Sequence, residues 1–264
     1  MPKFPIIDTH LHIWDFNRLN YSAFKGHPLF GKSYHIEDYQ RDCGDIDVEA
    51  MVFLECYADF TSEGGQYIEE VEFVEESAKR DPRIKGIVPM APVEWGARVE
   101  TILEQMKEKH PTVKGIRRII EFDDDPRGLA LSNKFVEGVN KLSEFGYHFE
   151  INVNHTQMDI VREFIKFVPE VPMILDHCGK PGIAEGAIEQ FRNDEKELSE
   201  HQNIHEIFDY PHLLLFEHKF CQVLGLHHFQ YSFELQNLFF YHCFYLNQIH
   251  GLQLDDVMTF DLLL

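Results

Sequence analysis

Short apolar runs alternate with longer amphipathic stretches from the start of the chain to about residue 177. A strand that is buried on both faces shows as a short apolar run, and a helix that covers a sheet shows apolar residues at three- and four-residue spacing. Regular alternation of the two patterns is typical of repeated βα units around a parallel sheet. The pattern predicts six strands, at residues 6–8, 50–56, 86–89, 115–120, 148–153 and 173–176.

Helices are predicted between these strands from the spacing of their apolar residues. Ile68, Val71 and Val74, for example, would share one face of a helix. Pro169 ends a later helix, because proline cannot continue one. The predicted helices are residues 66–80, 99–110, 132–145 and 158–168, with an acidic helix near 187–200.

The last part of the chain differs in composition from the rest. Residues 206–264 contain one lysine, no arginine and no alanine, whereas phenylalanine and leucine are abundant. Their apolar residues form runs without a clean period, and their histidines lack the spacing of a metal site. We therefore divide the chain into βα units one to six, in residues 1–205, and an atypical segment, 206–264, that is expected to complete the same domain.

The charge of the chain limits its partners. It has 45 acidic and 24 basic residues, which gives a formal net charge of −21. Repulsion therefore disfavours binding to nucleic acid or to an anionic membrane. The start of the chain lacks a signal-peptide pattern, and the five cysteines form no CxxC pair. These features predict a cytoplasmic protein without a nucleic-acid or membrane partner.

Three histidines are candidates for a functional site at the ends of strands. His10 and His12 end the first predicted strand, and the alternation of side chains along a strand places both on one side. His177 follows the sixth strand, and barrel sites lie where strands end, so all three would converge. Neutral imidazole is a common ligand of divalent zinc. The alternative is that these histidines only form hydrogen bonds at strand ends.

Three segments of the chain, in this order and spacing, resemble one known family: IIDTHLHIWD, VKGIRRII and ILDHCGKP. Over residues 4–205 the chain is similar to the amidohydrolase-related family that includes sugar-lactone and pyrone-dicarboxylate lactonases. The resemblance implies an α/β fold, the (β/α)₈ TIM barrel, with hydrolysis of a small-molecule substrate at its carboxyl face. Family members differ in whether they need a divalent metal; where one is used, the resemblance implies His10, His12 and His177 as its ligands.

The same resemblance extends to other positions. His10, His12 and His177 match the catalytic histidines of the family, and Arg117 matches a fourth-strand arginine that engages substrate oxygens or a carboxylate. A guanidinium has the donor geometry for that role. The alternative for Arg117 is a salt bridge to an acidic residue among positions 121–125. His155, after the fifth strand, is a further candidate for substrate contact.

Two residues at the end of the second predicted strand are also candidates for substrate binding. Glu55 and Tyr57 are two positions apart, so they would face the same end of the barrel. Either is then placed to contact a ligand. The alternative for Glu55 is an ion pair with an arginine inside the barrel.

The chain departs from the family at its end. In the family, the eighth strand ends in a Gly-Asp-Trp-Pro-like segment whose aspartate binds metal or acts as a base. No such segment exists here, and the tryptophans of the chain are Trp14 and Trp95. No residue can therefore be assigned to the role of this base from the sequence.

The function predicted from these features is the opening of a small lactone, through polarisation of its carbonyl group and attack by water. Because the eighth-strand aspartate is missing, one alternative is a disabled barrel that only binds a small acid or sugar. Another is a metal-dependent decarboxylase, since related barrels with the same HxH opening cleave carbon–carbon bonds. A homo-oligomer is compatible with this fold class.

Overall fold

Seven parallel strands follow one another around the molecule in a computed structural model, which describes residues 5–61, 64–182 and 185–206. They form two groups of three and four strands, and two parallel bridges link these groups, between Ile87 and Val113 and between Met90 and Arg117. Each strand therefore lies beside the one before it in the chain. The strands are β1 (Ile6–Leu11), β2 (Val48–Leu54), β3 (Ile84–Val88), β4 (Gly115–Ile119), β5 (His148–Asn152), β6 (Met173–Leu175) and β7 (Ile204–Glu206).

The strand order and direction confirm the predicted fold class. Parallel strands in chain order, joined by helical crossovers, are the arrangement of a (β/α)₈ barrel. The described residues contain seven of its strands. The six predicted strands are all present, and β7 is the one that the apolar pattern did not reveal. Because β7 has three residues and includes His205, it leaves no apolar run in the sequence.

Helices connect most of these strands. Four of the predicted helices correspond closely to α2, α3, α5 and α7, and the predicted helix 158–168 is divided into α6 and a 3₁₀ turn at Ile165–Phe167. Two shorter helices, α1 and α4, were not predicted. The helices are α1 (Ile36–Cys43), α2 (Tyr67–Arg80), α3 (Glu100–Lys109), α4 (Pro126–Ala130), α5 (Asn133–Phe145), α6 (Met158–Phe164) and α7 (Ile188–Leu198).

Helix α5 shows how local sequence defines an element. The Ser132 side chain accepts a hydrogen bond from the backbone N–H of Phe135 at 3.2 Å, which caps the first turn. Gly146 ends the helix with a φ of 69°, a left-handed conformation that glycine adopts without strain. Between them, Phe135, Val139 and Leu142 are fully buried. The helix therefore presents one apolar face to the strands, as its spacing predicts.

A single apolar core extends between the strands and the helices that cover them. Its largest members include Phe53, Phe135, Phe149 and Phe164, each fully buried. Within the described ranges, no helix is long and apolar enough to cross a bilayer. Apart from Glu206, the atypical segment 206–264 lies outside the described residues, so the predicted domain division stays a prediction.

Candidate active site

The structure brings three of the predicted residues together at the carboxyl ends of strands β1 and β6. The ring centroid of His10 lies 4.8 Å from that of His12, with the rings edge to face, and 4.8 Å from that of His177, with the rings tilted by 40°. His10 is buried, and the other two are half-buried at the barrel mouth. These three residues are called the histidine cluster below.

Hydrogen bonds fix the position of the first two histidines. The Asp8 carboxylate accepts the backbone N–H of His10 at 3.0 Å and the Tyr39 hydroxyl at 3.0 Å. His12 Nδ1 lies 3.0 Å from the carbonyl oxygen of Leu54. Because a carbonyl oxygen only accepts, Nδ1 carries the hydrogen, and Nε2 is then the accepting nitrogen of the neutral ring. His12 therefore has the tautomer of a proton acceptor at Nε2.

A left-handed turn after β6 places His177. Four consecutive residues have positive φ: His177 at 54°, Cys178 at 50°, Gly179 at 63° and Lys180 at 50°. This conformation costs roughly 1–2 kcal/mol for each residue with a Cβ atom. At Gly179, an added Cβ would overlap the sulfur of Met158, so a larger residue would require that side chain to move. Strain of this kind is concentrated at functional sites. Here the strained residues include His177, a member of the histidine cluster.

Arg117 lies inside the barrel, where it pairs with two carboxylates. Its Nε donates to Asp176 Oδ2 at 2.7 Å, and its Nη1 donates to Glu55 Oε1 at 3.3 Å. The residue is 2% exposed. Although burial lowers the pKa of Arg117, the charges of Asp176 and Glu55 raise it above the usual value. This arrangement is the ion pair inside the barrel that was the alternative for Glu55, and the predicted substrate contact of Arg117 stays a prediction.

The alternative for Arg117 was a salt bridge to an acidic residue among positions 121–125, but other cations pair with the carboxylates there. Lys180 pairs with Glu121, and Arg118 donates to Asp123 at 3.1 Å. Successive side chains of a strand point to opposite faces, and Arg117 and Arg118 form their ion pairs with different carboxylates. The acidic partners named in that alternative are therefore wrong, because Asp176, which lies far along the chain, approaches Arg117 only through the fold.

Buried carboxyl groups surround this ion pair. Glu55, Glu70 and Glu150 are each less than 5% exposed. Burial and the charge of Glu55 raise the pKa of Glu70 to about 8. Burial raises the pKa of Glu150 to about 7, although a hydrogen bond to His148 opposes the shift. Burial also raises the pKa of Glu55. At neutral pH these raised pKa values favour the protonated form of Glu70 and leave Glu150 close to the midpoint of its titration.

A pocket of about 200 Å³ opens at the ends of β2, β3 and β4. Its walls include Glu55 and Tyr57, the two residues predicted to face the barrel mouth, together with Arg118 and Asp123. The backbone N–H of Tyr57 donates to Glu55 Oε2 at 2.9 Å. Burial raises the pKa of the Tyr57 hydroxyl to about 12, so it remains protonated and able to donate. The apolar walls are Phe60, Met90, Ile119 and Phe122.

His155 lies in the loop after β5, beside the turn that follows β6. Its Nδ1 is 3.2 Å from the carbonyl oxygen of Lys180, so Nδ1 carries the hydrogen of the neutral ring. A Cβ added at Gly182 would lie 2.6 Å from His155 Nε2, which shows how closely the two loops pack. The predicted role of His155 in substrate contact stays a prediction.

The sequence analysis did not assign several residues that organise this site. Asp8 positions His10, Asp176 pairs with Arg117, and Lys180 joins Glu121 to Asn152, whose Oδ1 it contacts at 3.1 Å. Asp176 immediately precedes His177, and Asp8 lies two residues before His10, so their place at strand ends was a usable signal. The partners of Lys180 come from other βα units and gave no such signal.

Comparisons with known proteins agree with this geometry. The chain matches the amidohydrolase family over residues 7–218. It is 24% identical to the L-fucono-1,5-lactonase of Burkholderia multivorans over 223 residues, which are 83% of this chain and 68% of that protein.

Solved structures show the same fold. A zinc-bound amidohydrolase from Burkholderia multivorans superposes with a TM-score of 0.66 at 20% identity, covering 79% of this chain and 70% of the other. A probable 2-pyrone-4,6-dicarboxylic acid hydrolase from Acinetobacter baumannii, with citric acid bound, gives a TM-score of 0.51 at 10% identity, covering 89% and 96% of the two chains. With a family match over most of its length and this barrel, the chain belongs to the amidohydrolase family.

Proposed function

We propose that the chain is a hydrolase that opens a small lactone at the carboxyl end of its barrel. The observation that supports this proposal most directly is the histidine cluster, since imidazole is the side chain that takes and returns a proton near neutral pH. The likeness to an L-fucono-1,5-lactonase supports a lactone as the substrate. Family membership supports hydrolysis as the reaction.

In the proposed reaction, His12 acts as the general base. Its Nε2 accepts a proton from water, and the oxygen of that water adds to the carbonyl carbon of the lactone. The ring C–O bond then breaks, and the proton returns from His12 to the departing alkoxide oxygen. The product is one hydroxy acid. An N–H of His177 donates to the carbonyl oxygen as negative charge develops on it.

Arg117 has a positioning role in this proposal. Its guanidinium holds the carboxylates of Glu55 and Asp176, which belong to the ends of β2 and β6. Asp176 immediately precedes His177, and the carbonyl group that receives the His12 hydrogen bond belongs to Leu54, next to Glu55. One buried cation therefore ties together the two strand ends that position the proposed base and its partner.

Zinc is bound in one relative of known structure, and imidazole is a ligand that zinc favours. In this chain the histidine rings pack against one another, edge to face and tilted. In the part of the chain that the structure describes, no group of three His, Cys, Asp or Glu side chains is arranged to hold a metal ion. The described residues alone thus do not form the predicted zinc site, and no step is assigned to a metal. Metal analysis of the purified protein tests the zinc prediction.

The proposal is tested by following acid release with a pH indicator. The substrates are sugar lactones, simple δ-lactones and 2-pyrone-4,6-dicarboxylate, each assayed with and without added zinc. We expect turnover by the full chain and a loss of about 10²–10⁴-fold in kcat for His12→Ala, because general acid–base groups contribute on that scale. For His177→Ala we expect a loss of about 10²–10³-fold, the scale of removing one donor to a developing oxyanion. His27→Ala is the matched control, since His27 is exposed and outside the cluster.

Three results would contradict the proposal. Equal activity of His12→Ala and the unmodified protein would exclude His12 as the base. Ligand-induced stabilisation of the folded chain without any turnover would instead favour the disabled barrel. Release of carbon dioxide from an aromatic acid, in place of lactone opening, would favour the decarboxylase.

A further inference from the structure

The cations described at the barrel mouth are already paired with carboxylates. Arg118, besides its bonds to Asp123, donates to Glu94 at 3.3 Å. With Arg117 and Lys180 included, three cations pair with five carboxyl groups: Glu55, Asp176, Glu94, Asp123 and Glu121. The described mouth is therefore neutral to negative. An anionic substrate would have to displace an existing pair to find a counter-charge.

The composition of the chain also indicates a negative charge. Residues 206–264 contribute one lysine and no arginine, and the whole chain has a formal net charge of −21. A chain with this net charge repels a dianion at long range and imposes no such barrier on a neutral molecule. The negative charge of the protein therefore favours the binding of neutral lactones over that of pyrone dicarboxylates.

The pocket at the ends of β2, β3 and β4 has aromatic walls that face solvent. Tyr57, Phe60 and Phe122 are 36%, 42% and 68% exposed, respectively, and all three line this pocket. Exposed aromatic side chains that gather around one cavity are typical of a ligand site. They are the feature that the proposed reaction does not use.

Cations support two of these aromatic rings. The guanidinium carbon of Arg118 lies 5.1 Å from the ring centroid of Phe60, and Lys180 Nζ lies 5.6 Å from that of Phe122. A cation over a ring face attracts the ring electrostatically. Because Arg118 and Lys180 are neutralised by their own carboxylates, they are suited to holding the walls in place. The walls thus form an apolar surface that exists before a ligand binds.

The pocket and the histidine cluster share the end of β2. His12 is hydrogen-bonded to the carbonyl oxygen of Leu54, and the next residue, Glu55, lines the pocket. A molecule whose carbonyl group lies at the histidine cluster can therefore extend a substituent toward Phe60 and Phe122.

We propose that this pocket binds an alkyl or aryl substituent of a neutral lactone, so that the enzyme prefers substituted neutral lactones to dicarboxylates. The inference rests on the proposed lactone hydrolysis, and it names the substrate class for that site. Apolar contact with Phe60 and Phe122 supplies the affinity, and the paired carboxylates of the mouth supply the discrimination against anions.

The test compares δ-valerolactone, δ-nonalactone and 2-pyrone-4,6-dicarboxylate as substrates of the full chain. We expect δ-nonalactone, which carries a butyl group, to have the highest kcat/KM. Phe122→Ala should raise KM for δ-nonalactone about tenfold, which corresponds to roughly 1.4 kcal/mol of lost apolar contact, with kcat nearly unchanged. It should leave KM for δ-valerolactone unchanged. Phe167→Ala is the matched control, because Phe167 is 51% exposed and does not line the pocket.

A binding measurement separates this inference from the proposed reaction. Calorimetry with His177→Ala measures δ-nonalactone affinity without turnover, and adding Phe122→Ala should weaken it about tenfold. If binding depends on Phe122 but the unmodified chain turns over no lactone, the pocket is supported and the proposed reaction is overturned. If lactones are opened but Phe122→Ala affects both lactones equally, or if the dicarboxylate is the best substrate, the pocket inference is overturned.

Discussion

Glu70 is a carboxyl group that is buried in the folded chain, where its charged form is unfavourable. It lies on α2 with 1% exposure, and its Oε1 accepts the backbone N–H of Cys56 at 3.1 Å. Burial and the neighbouring charge of Glu55 raise its pKa from 4.5 to about 8. A group of this kind makes stability depend on pH, because the unfolded chain loses the proton at a much lower pH than the folded chain does.

We expect Glu70→Gln to remove part of that dependence. Between about pH 5 and pH 8 the folded state retains a proton that the unfolded state has lost, so a rising pH favours unfolding by up to about 1.4 kcal/mol per unit. The unmodified chain should therefore lose stability relative to Glu70→Gln over this window. Below the pKa of Glu70 in the unfolded chain, the difference in unfolding free energy between the two proteins should not change with pH. Urea unfolding at several pH values measures this difference.

Glu69→Gln is the control for that experiment, since Glu69 is on the same helix and exposed. Its free energy of unfolding should follow the pH dependence of the unmodified chain. A constant difference between Glu70→Gln and the unmodified chain from about pH 5 to pH 8 would mean that Glu70 is ionised in the fold.

Individual site residues were predictable where one strand end decides their position. The meeting of His10 and His177 follows from parallel strands ending at the same edge, and the structure shows it. The partner of Arg117 did not follow, because Asp176 lies 59 residues further along the chain. Sequence spacing gives the face of a strand on which a side chain lies. Sequence spacing does not predict which carboxylate pairs with that side chain in the folded protein.

The elements themselves were predicted best where their apolar pattern was long. Strand β5 begins at the predicted residue and α2 begins one residue later than predicted. Helices α1 and α4 were missed for different reasons. The mean hydropathy of α1 is low, because polar residues fill most of its eight positions, and α4 has five residues. Short or polar elements are held by neighbours that a local pattern does not contain.

Helix α5 provides a test in which tertiary packing opposes helix propensity. Gly138 lies in the helix interior, where alanine is normally better by roughly 1 kcal/mol. A Cβ at this position, however, would overlap the carbonyl oxygen of Val93 in the turn that follows β3. We therefore expect Gly138→Ala to destabilise the fold by about 1–3 kcal/mol, the usual cost of overpacking. Urea unfolding measures the change.

Lys134→Ala, at an exposed position of α5, is the matched control. Substitution there tests propensity without the close approach, and its effect should be within about 0.5 kcal/mol. If Gly138→Ala were as stable as Lys134→Ala or more so, the helix would have to shift freely away from Val93. The packing argument would then be wrong.

At the scale of the whole molecule, the described strands form a barrel that is not closed. In the ranges that the structure describes, β1 pairs only with β2, and β7 pairs only with β6. An eight-stranded barrel has no free edge, whereas an open sheet presents unpaired N–H and C=O groups that promote association. In the sequence the eighth-strand motif is missing, and residues 206–264 are expected to complete the same domain. The apolar pattern does not predict what lies between β7 and β1, because residues 206–264 have no clear period.

We propose that residues 207–264 contribute to the same domain, and truncation tests this. A chain that ends at Glu206 keeps all seven parallel strands β1 to β7. We expect it to unfold at a lower urea concentration than the full chain and to form larger species in size-exclusion chromatography, because its β1 and β7 edges would be exposed to other molecules. Equal unfolding midpoints and a monomeric truncated chain would contradict this. The seven strands would then be a stable unit by themselves, and the proposed site, whose named residues all precede residue 207, should retain its activity.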